Sequence, residues 1–81
     1  MNVTIYSTAS CGFCKMLKKY LDEKNIAYTV KMADEDEKVA QELFEKSKGF
    51  AVPFTEIEKD DGQVDQILGY DLPKLNLALG I

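Results

Sequence analysis

Apolar and polar residues alternate at the start of the chain, and then the period changes. Val3 and Ile5 alternate with Thr4 and Tyr6, which predicts a strand over 2–7, buried on both faces at its centre. From residue 12 the spacing is helical. Phe13, Cys14, Met16, Leu17, Tyr20 and Leu21 form one stripe, and Lys15, Lys18, Lys19, Asp22 and Glu23 take the other side. A helix is therefore expected over 12–24, closed by Lys24-Asn25 with Asn25 as a left-handed cap. Ile26, Tyr28 and Val30 return to period two and predict a second strand over 27–32. Strand, helix and strand within about thirty residues make a βαβ unit, whose strands run parallel by a right-handed crossover.

The second half changes pattern. Asp34 opens a second helix, with Glu37 three residues on as the partner in a capping box. The acidic run Asp34 to Glu37 suits the positive end of the helix dipole. Val39, Ala40, Leu43 and Phe44 mark its inward face, and Ser47-Lys48-Gly49 stops it. A third strand is expected over 53–58, with Pro53 tolerated at its first position. Lys59-Asp60-Asp61-Gly62 carries the Asp-Gly signal of a hairpin turn, and a fourth strand follows over 63–68. Gly69 breaks the pattern. Asp71 then caps a last helix that has Pro73 in its first turn, and Leu72, Leu75 and Leu79 pack it back. The order β-α-β-α-β-β-α predicts an α/β fold: a four-stranded mixed sheet flanked by helices on both faces. The first two strands are parallel and the hairpin supplies the other two. One domain over 1–81 is expected, without repeat or linker.

Composition narrows the function classes. With 81 residues there is room for one modest core. A chain that is 46% hydrophobic and 30% charged suits a soluble globular protein. Apolar runs last only a few residues, so no membrane span is expected. The chain enters a strand pattern at once, with no basic or apolar leader, and a cytoplasmic location is expected. A net charge of -4 without a basic patch argues against nucleic acid as a partner.

The chemistry lies in Cys11 and Cys14, three residues apart, after a small polar turn, Ser7-Thr8-Ala9-Ser10. A structural zinc site needs about four ligands; two cysteines and no histidine do not supply them without carboxylates or a second subunit, so no metal is expected. A structural disulfide is disfavoured in a reducing cytosol, and the short loop it closes would constrain the unfolded chain little. A redox pair is the most economical reading. Cys11 would sit at a helix N-terminus, where unpaired N–H groups and the dipole favour the thiolate, the nucleophile of disulfide exchange. Gly12 would leave that sulfur open to a bulky partner, and Phe13 would give an apolar surface beside it. Cys14, one turn in and shielded by Phe13 and Leu17, would attack the mixed disulfide on Cys11 and release the reduced product.

Ile5-Tyr6-Ser7, Cys11-Gly12-Phe13-Cys14-Lys15, Ala51-Val52-Pro53 and Leu68-Gly69-Tyr70-Asp71 stand in the order and spacing seen in glutaredoxins, which the chain resembles over nearly its whole length. The resemblance implies a thioredoxin fold, a cis bond before Pro53, a nucleophilic Cys11 and a resolving Cys14. It also implies a peptide-binding groove made by Val52 and the Gly69-Tyr70-Asp71 turn. In members that use glutathione, that turn receives the γ-glutamyl end through backbone N–H groups and an aspartate, and Asp71 stands at that place. Asp71 as a simple helix cap is compatible with the same role. The resemblance thus implies a dithiol oxidoreductase acting on protein or glutathione-mixed disulfides. No cofactor would be tightly bound, glutathione would be a candidate co-substrate, and a monomer is expected.

The chain also departs from that pattern. Glutathione users carry a lysine three residues before the first cysteine, where Thr8 stands, and a Gly-Gly pair where Leu68-Gly69 stands. Lys48 is a substitute contact for the glycyl carboxylate, or an ordinary solvated lysine. Ser10 replaces the tryptophan of thioredoxins. The Gly-aromatic pair after the fourth strand is similar to that of the glutaredoxin-like electron donors of ribonucleotide reductase, which are reduced by thioredoxin reductase. Both reductants stay open. A further alternative comes from Cys-Gly-Phe-Cys itself, which resembles the Cys-Gly-Phe-Ser of monothiol glutaredoxins that hold an iron–sulfur cluster between two subunits with glutathione.

Overall fold

In the computed structural model, which describes residues 1–81, the first apolar run becomes the strand on which both layers of the core meet. This strand, β1 (Asn2–Ser7), pairs in parallel with β2 (Thr29–Met32) and antiparallel with β3 (Phe54–Glu58). The hairpin partner β4 (Val64–Leu68) completes a sheet of order β2-β1-β3-β4. Three helices flank it: α1 (Gly12–Glu23), α2 (Glu37–Ser47) and α3 (Leu72–Leu79). The element order and mixed sheet are those the pattern of the chain predicts, and together they make the thioredoxin fold that the resemblance implies.

Alternation along the strands divides the core. Val3, Ile5, Ile57 and Ile67 point to one face, where they pack with Leu17 and Leu21 of α1 and Leu75, Ala78 and Leu79 of α3. Tyr6 and Phe54 point to the other face and pack against Leu43 of α2, with Val39 and Val52 beside them. Ile5 and Tyr6 are both fully buried although they face opposite ways, because helices cover the sheet on both sides.

On the α2 face the sheet carries charge as well as apolar surface. The Tyr6 hydroxyl donates to Glu42, and Lys31 Nζ donates to the same carboxylate at 2.9 Å. Lys46 Nζ donates to Glu56 at 2.7 Å and stands 3.7 Å from Glu42. Gln66 Nε2 donates to the other Glu56 oxygen at 3.2 Å. Tyr6, Lys31 and Glu56 come from three neighbouring strands and Glu42 and Lys46 from one helix face, so the network fixes α2 on the sheet.

Several boundaries differ from those the sequence predicts. The second helix is capped by Asp36, whose side chain accepts the Lys38 N–H at 2.9 Å, and not by Asp34. Asp34 is drawn away to the loop before Cys11, so the expected capping box with Glu37 does not form. Within the expected stop Ser47-Lys48-Gly49, Lys48 (φ 61°) takes the left-handed position, and Asn25 (φ 57°) takes the one expected of it. Phe13, Met16 and Phe44, assigned to inward stripes by their spacing, are exposed at 60%, 49% and 47%. Each lies at the margin of its helix's apolar stripe, beyond the reach of the sheet. The strands β2, β3 and β4 start one or two residues later than expected.

Candidate active site

β1 delivers the chain to a turn at 8–10 that ends on Cys11, the N-cap residue of α1. Its backbone is extended (φ -82°, ψ 106°), and its N–H donates to Thr8 O at 3.3 Å. Its Sγ accepts the Cys14 N–H at 3.1 Å. A cap position ordinarily takes a hydroxyl or carboxylate oxygen, which accepts one of the unpaired N–H groups of the first turn. Here a sulfur occupies that place. When it is a thiolate, the same N–H and the helix dipole act on a full negative charge and stabilise it.

Cys11 and Cys14 are joined as a disulfide, with Cα atoms 5.2 Å apart. The two sulfurs are not equivalent. Cys14 is fully buried beneath the helix, next in the sequence stripe to Leu17, whereas Cys11 is partly exposed. The space beside Gly12 is open, since a Cβ there would meet nothing within 4 Å. The fold itself does not require this glycine, and its bare Cα leaves room beside Cys11.

Two further segments come to this end of the molecule. The Val52–Pro53 bond is cis, and Pro53 is buried. Val52 packs its side chain against the Tyr6–Leu43–Phe54 layer, and its N–H and C=O make no hydrogen bond within the chain. The Gly69 N–H donates to Pro53 O at 2.8 Å, and Gly69 takes a φ of +84° that a side chain would strain. That turn carries Tyr70 over to Phe13, where the rings stack with centroids 6.3 Å apart and planes at 25°. Phe13, Tyr70, Gly69, Pro53 and Val52 are thus linked in a chain of contacts from the cysteine helix to the proline. Asp71, the last of the predicted set, caps α3: its Oδ1 accepts the Lys74 N–H at 3.2 Å. Its Oδ2 faces Lys74 Nζ at 3.9 Å, and its side chain keeps 36% exposure. Lys15 and Lys48 are exposed and enter no ion pair.

Sequence reasoning did not find Asp34. Its Oδ2 accepts the Ala9 N–H at 3.0 Å, and the adjacent Ala33 N–H donates to Ser7 O at 2.9 Å. These two bonds extend the β1–β2 ladder into the loop that presents Cys11. The signal available in the sequence was the run of four acids, of which only one can be the N-cap. No group of three or more Cys, Asp or Glu side chains gathers in a way that would hold a metal ion. No helix is long and apolar enough to cross a membrane.

Comparison with known proteins places this geometry among relatives. The family model described as Glutaredoxin matches residues 3–61. The chain is 34% identical over 74 residues to an uncharacterized glutaredoxin-like 8.6 kDa protein in the rubredoxin operon of Clostridium pasteurianum, covering 91% of this chain and 92% of that one. It is 38% identical over 74 residues to the glutaredoxin-like protein NrdH of Lactococcus lactis subsp. cremoris, covering 90% of this chain and 97% of that one. Among solved structures it is similar to the T8A mutant of the thioredoxin-like protein BC3987, with a TM-score of 0.83, 25% identity, and 99% and 96% of the two chains covered.

Proposed function

The chain belongs to the glutaredoxin family and is a thiol–disulfide oxidoreductase, and from that premise we propose that Cys11 is its attacking thiolate and Cys14 its resolving thiol. The observation that carries the assignment is the unequal exposure of the two sulfurs. Only Cys11 reaches solvent, and it does so at the cap of α1, where the Cys14 N–H already points at it. The Cys11 thiolate attacks one sulfur of the substrate disulfide; that bond breaks, and the leaving sulfur takes up a proton. Cys14 then loses its proton and attacks Cys11 Sγ. The second substrate thiol leaves, and two electrons have passed from the protein to the substrate. The Cys11–Cys14 disulfide that remains is the form the structure describes.

The substrate we assign is a disulfide on an extended peptide, either in a protein or in mixed disulfide with glutathione. Support comes from the free N–H and C=O of Val52, which suit pairing with an extended backbone, and from the exposed Phe13–Tyr70 wall. The partly exposed Asp71 carboxylate suits the amino end of a γ-glutamyl group, in exchange for its 3.9 Å contact with Lys74, while Thr8 offers no charge to a carboxylate. A second reading, an electron donor to ribonucleotide reductase that is itself reduced by thioredoxin reductase, is favoured by that neutral Thr8 and by the 38% identity to a glutaredoxin-like NrdH. In the cluster-carrier alternative, the buried Cys14 competes with the cluster for Cys11. No tightly bound cofactor enters the scheme, and we place the single domain, 1–81, in the cytoplasm.

The test compares reductants. Oxidised protein is offered NADPH with thioredoxin reductase, or NADPH with glutathione and glutathione reductase, and the two rates of NADPH oxidation are read. A faster glutathione arm supports the first reading and a faster reductase arm the second. In either arm Cys11→Ser loses turnover, and Cys14→Ser keeps at most removal of glutathione from a mixed disulfide. Full turnover by the Cys11 variant would overturn the assignment.

A further inference from the structure

Phe44 on the outer face of α2 and Phe50 in the loop after it form an aromatic pair that the core does not use. Phe44 and Phe50 are 47% and 63% exposed and stack on each other with centroids 5.0 Å apart and planes at 27°. They form one side of an open groove of about 530 Å³ whose remaining lining is Glu37, Ala40, Gln41 and Glu45. Neither carboxylate is in an ion pair, and the lining holds no cation. Two aromatic faces with two unpaired carboxylates favour an alkylammonium or guanidinium group.

The groove adjoins, along the chain, the segment that carries Val52. Phe50 is two residues before Val52, so at about 3.4 Å per extended residue the two lie at most ~7 Å apart along the chain. Glu37 stands at the first position of α2, next to the loop through which Asp34 holds the cysteine turn. We propose that this groove is a subsite for a lysine or arginine of the protein substrate, about two residues from its reactive cysteine. The proposal rests on the reading that Val52 pairs with the substrate backbone. A peptide held there extends past Phe50, where its basic side chain lies across the two rings and its charge reaches Glu37 or Glu45. Substrate choice would then be set partly by α2, on the opposite side of the cysteines from the Phe13–Tyr70 wall.

Single-turnover reduction tests this. Reduced protein is mixed with short peptides whose one cysteine is in mixed disulfide with thionitrobenzoate, and release of the coloured thiolate is followed. The peptides differ only in having Arg, Gln or Glu two residues to either side. The Arg peptide is expected to react about ten-fold faster than the Glu peptide, with Gln between them, and the gap should close in about 0.5 M salt. Glu37→Gln with Glu45→Gln should remove the preference, and Phe50→Ala should weaken it. The neutral disulfide of 2-mercaptoethanol should be reduced at the same rate by every variant. Equal rates for the three peptides, or a preference that survives the double glutamine variant, would overturn the proposal. So would Phe50→Ala slowing all three peptides alike, the result for an uncharged apolar occupant, or a dimer in sedimentation that Phe50→Ala dissolves. Failure of the underlying reading looks different: the Gln peptide is then reduced no faster than a lone cysteine amide in the same mixed disulfide.

Discussion

Asp34 and Ala9, 25 residues apart in sequence, are joined by a 3.0 Å hydrogen bond from the Ala9 amide to the Asp34 carboxylate. The bond links the loop before α2 to the turn that lifts Cys11, and the Ala33–Ser7 bond at 2.9 Å backs it. In the role proposed for Cys11 its sulfur has to stay over the first turn of α1, and we infer that this contact positions a residue it does not touch.

Its removal should therefore be felt in rate more than in stability. For Asp34→Ala, the loss of one exposed hydrogen bond should cost about 1 kcal/mol in urea unfolding. The rate of Cys11 attack on a small disulfide should fall about three- to ten-fold, in line with the sensitivity of such sites to small displacements. Asp34→Asn keeps an acceptor oxygen and should restore most of the rate. Stopped-flow thiol release compares the three proteins. Identical rates in all of them would remove Asp34 from the positioning of the site.

Asp71 serves as a helix cap, and two substitutions separate that role from the ligand-binding role proposed for its partly exposed carboxylate. Asp71→Ala should destabilise the protein by about 1 kcal/mol, the usual cost of losing an N-cap. Asp71→Asn is an equally good cap and should leave the unfolding midpoint unchanged. If the carboxylate receives the amino end of glutathione, KM for a glutathione-mixed disulfide should still rise about three-fold or more in the Asn variant. Unchanged KM in that variant would leave Asp71 a cap alone.

The network under α2 should shape the pH dependence of stability. Hydrogen bonds from Tyr6 and then Lys31 hold the Glu42 carboxyl below its ordinary 4.5. A depressed acid contributes stability above its unfolded value and loses it as pH falls through the folded one, so unfolding should become easier below about pH 4.5. At the other end, the bond to Glu56 pushes Lys46 up to about 12. Burial, followed by the bond to Glu42, raises Tyr6 above 10.0. Both favour the protonated form, so their contribution is complete below pH 10 and is lost as pH rises through their folded values. Urea midpoints measured from pH 3 to 12 should show a plateau with a fall at each end. Glu42→Gln should flatten the acid fall. An acid limb unchanged in that variant would show that other carboxylates cause it.

The sheet and the cysteine turn were legible because their signals are local. Period two in Val3–Ile5 and Ile26–Val30, the switch to helical spacing at Phe13, and Asp-Gly between β3 and β4 each name an element without reference to the rest of the chain. The cap Asp71 and the left-handed Asn25 were legible for the same reason. What was not legible depends on neighbours distant in sequence. Four consecutive acids at 34–37 all suit a helix start; only the arrival of Ala9 decides that Asp34 turns away and Asp36 caps. Spacing alone put Phe13, Met16 and Phe44 inside, but a helix on a small sheet buries a narrow stripe, here Cys14, Leu17 and Leu21 on α1 and Leu43 on α2. The Tyr6–Glu42 and Lys46–Glu56 contacts cross 36 and 10 residues and follow no periodicity.

Because Cys14 is sealed beneath its helix and Cys11 alone meets the solvent, the molecule has a single doorway for electrons. Whatever recharges the oxidised pair has to knock where the substrate knocked. Donor and acceptor consequently take turns, never visiting together, and varying one against the other should yield the parallel reciprocal plots of a ping-pong cycle.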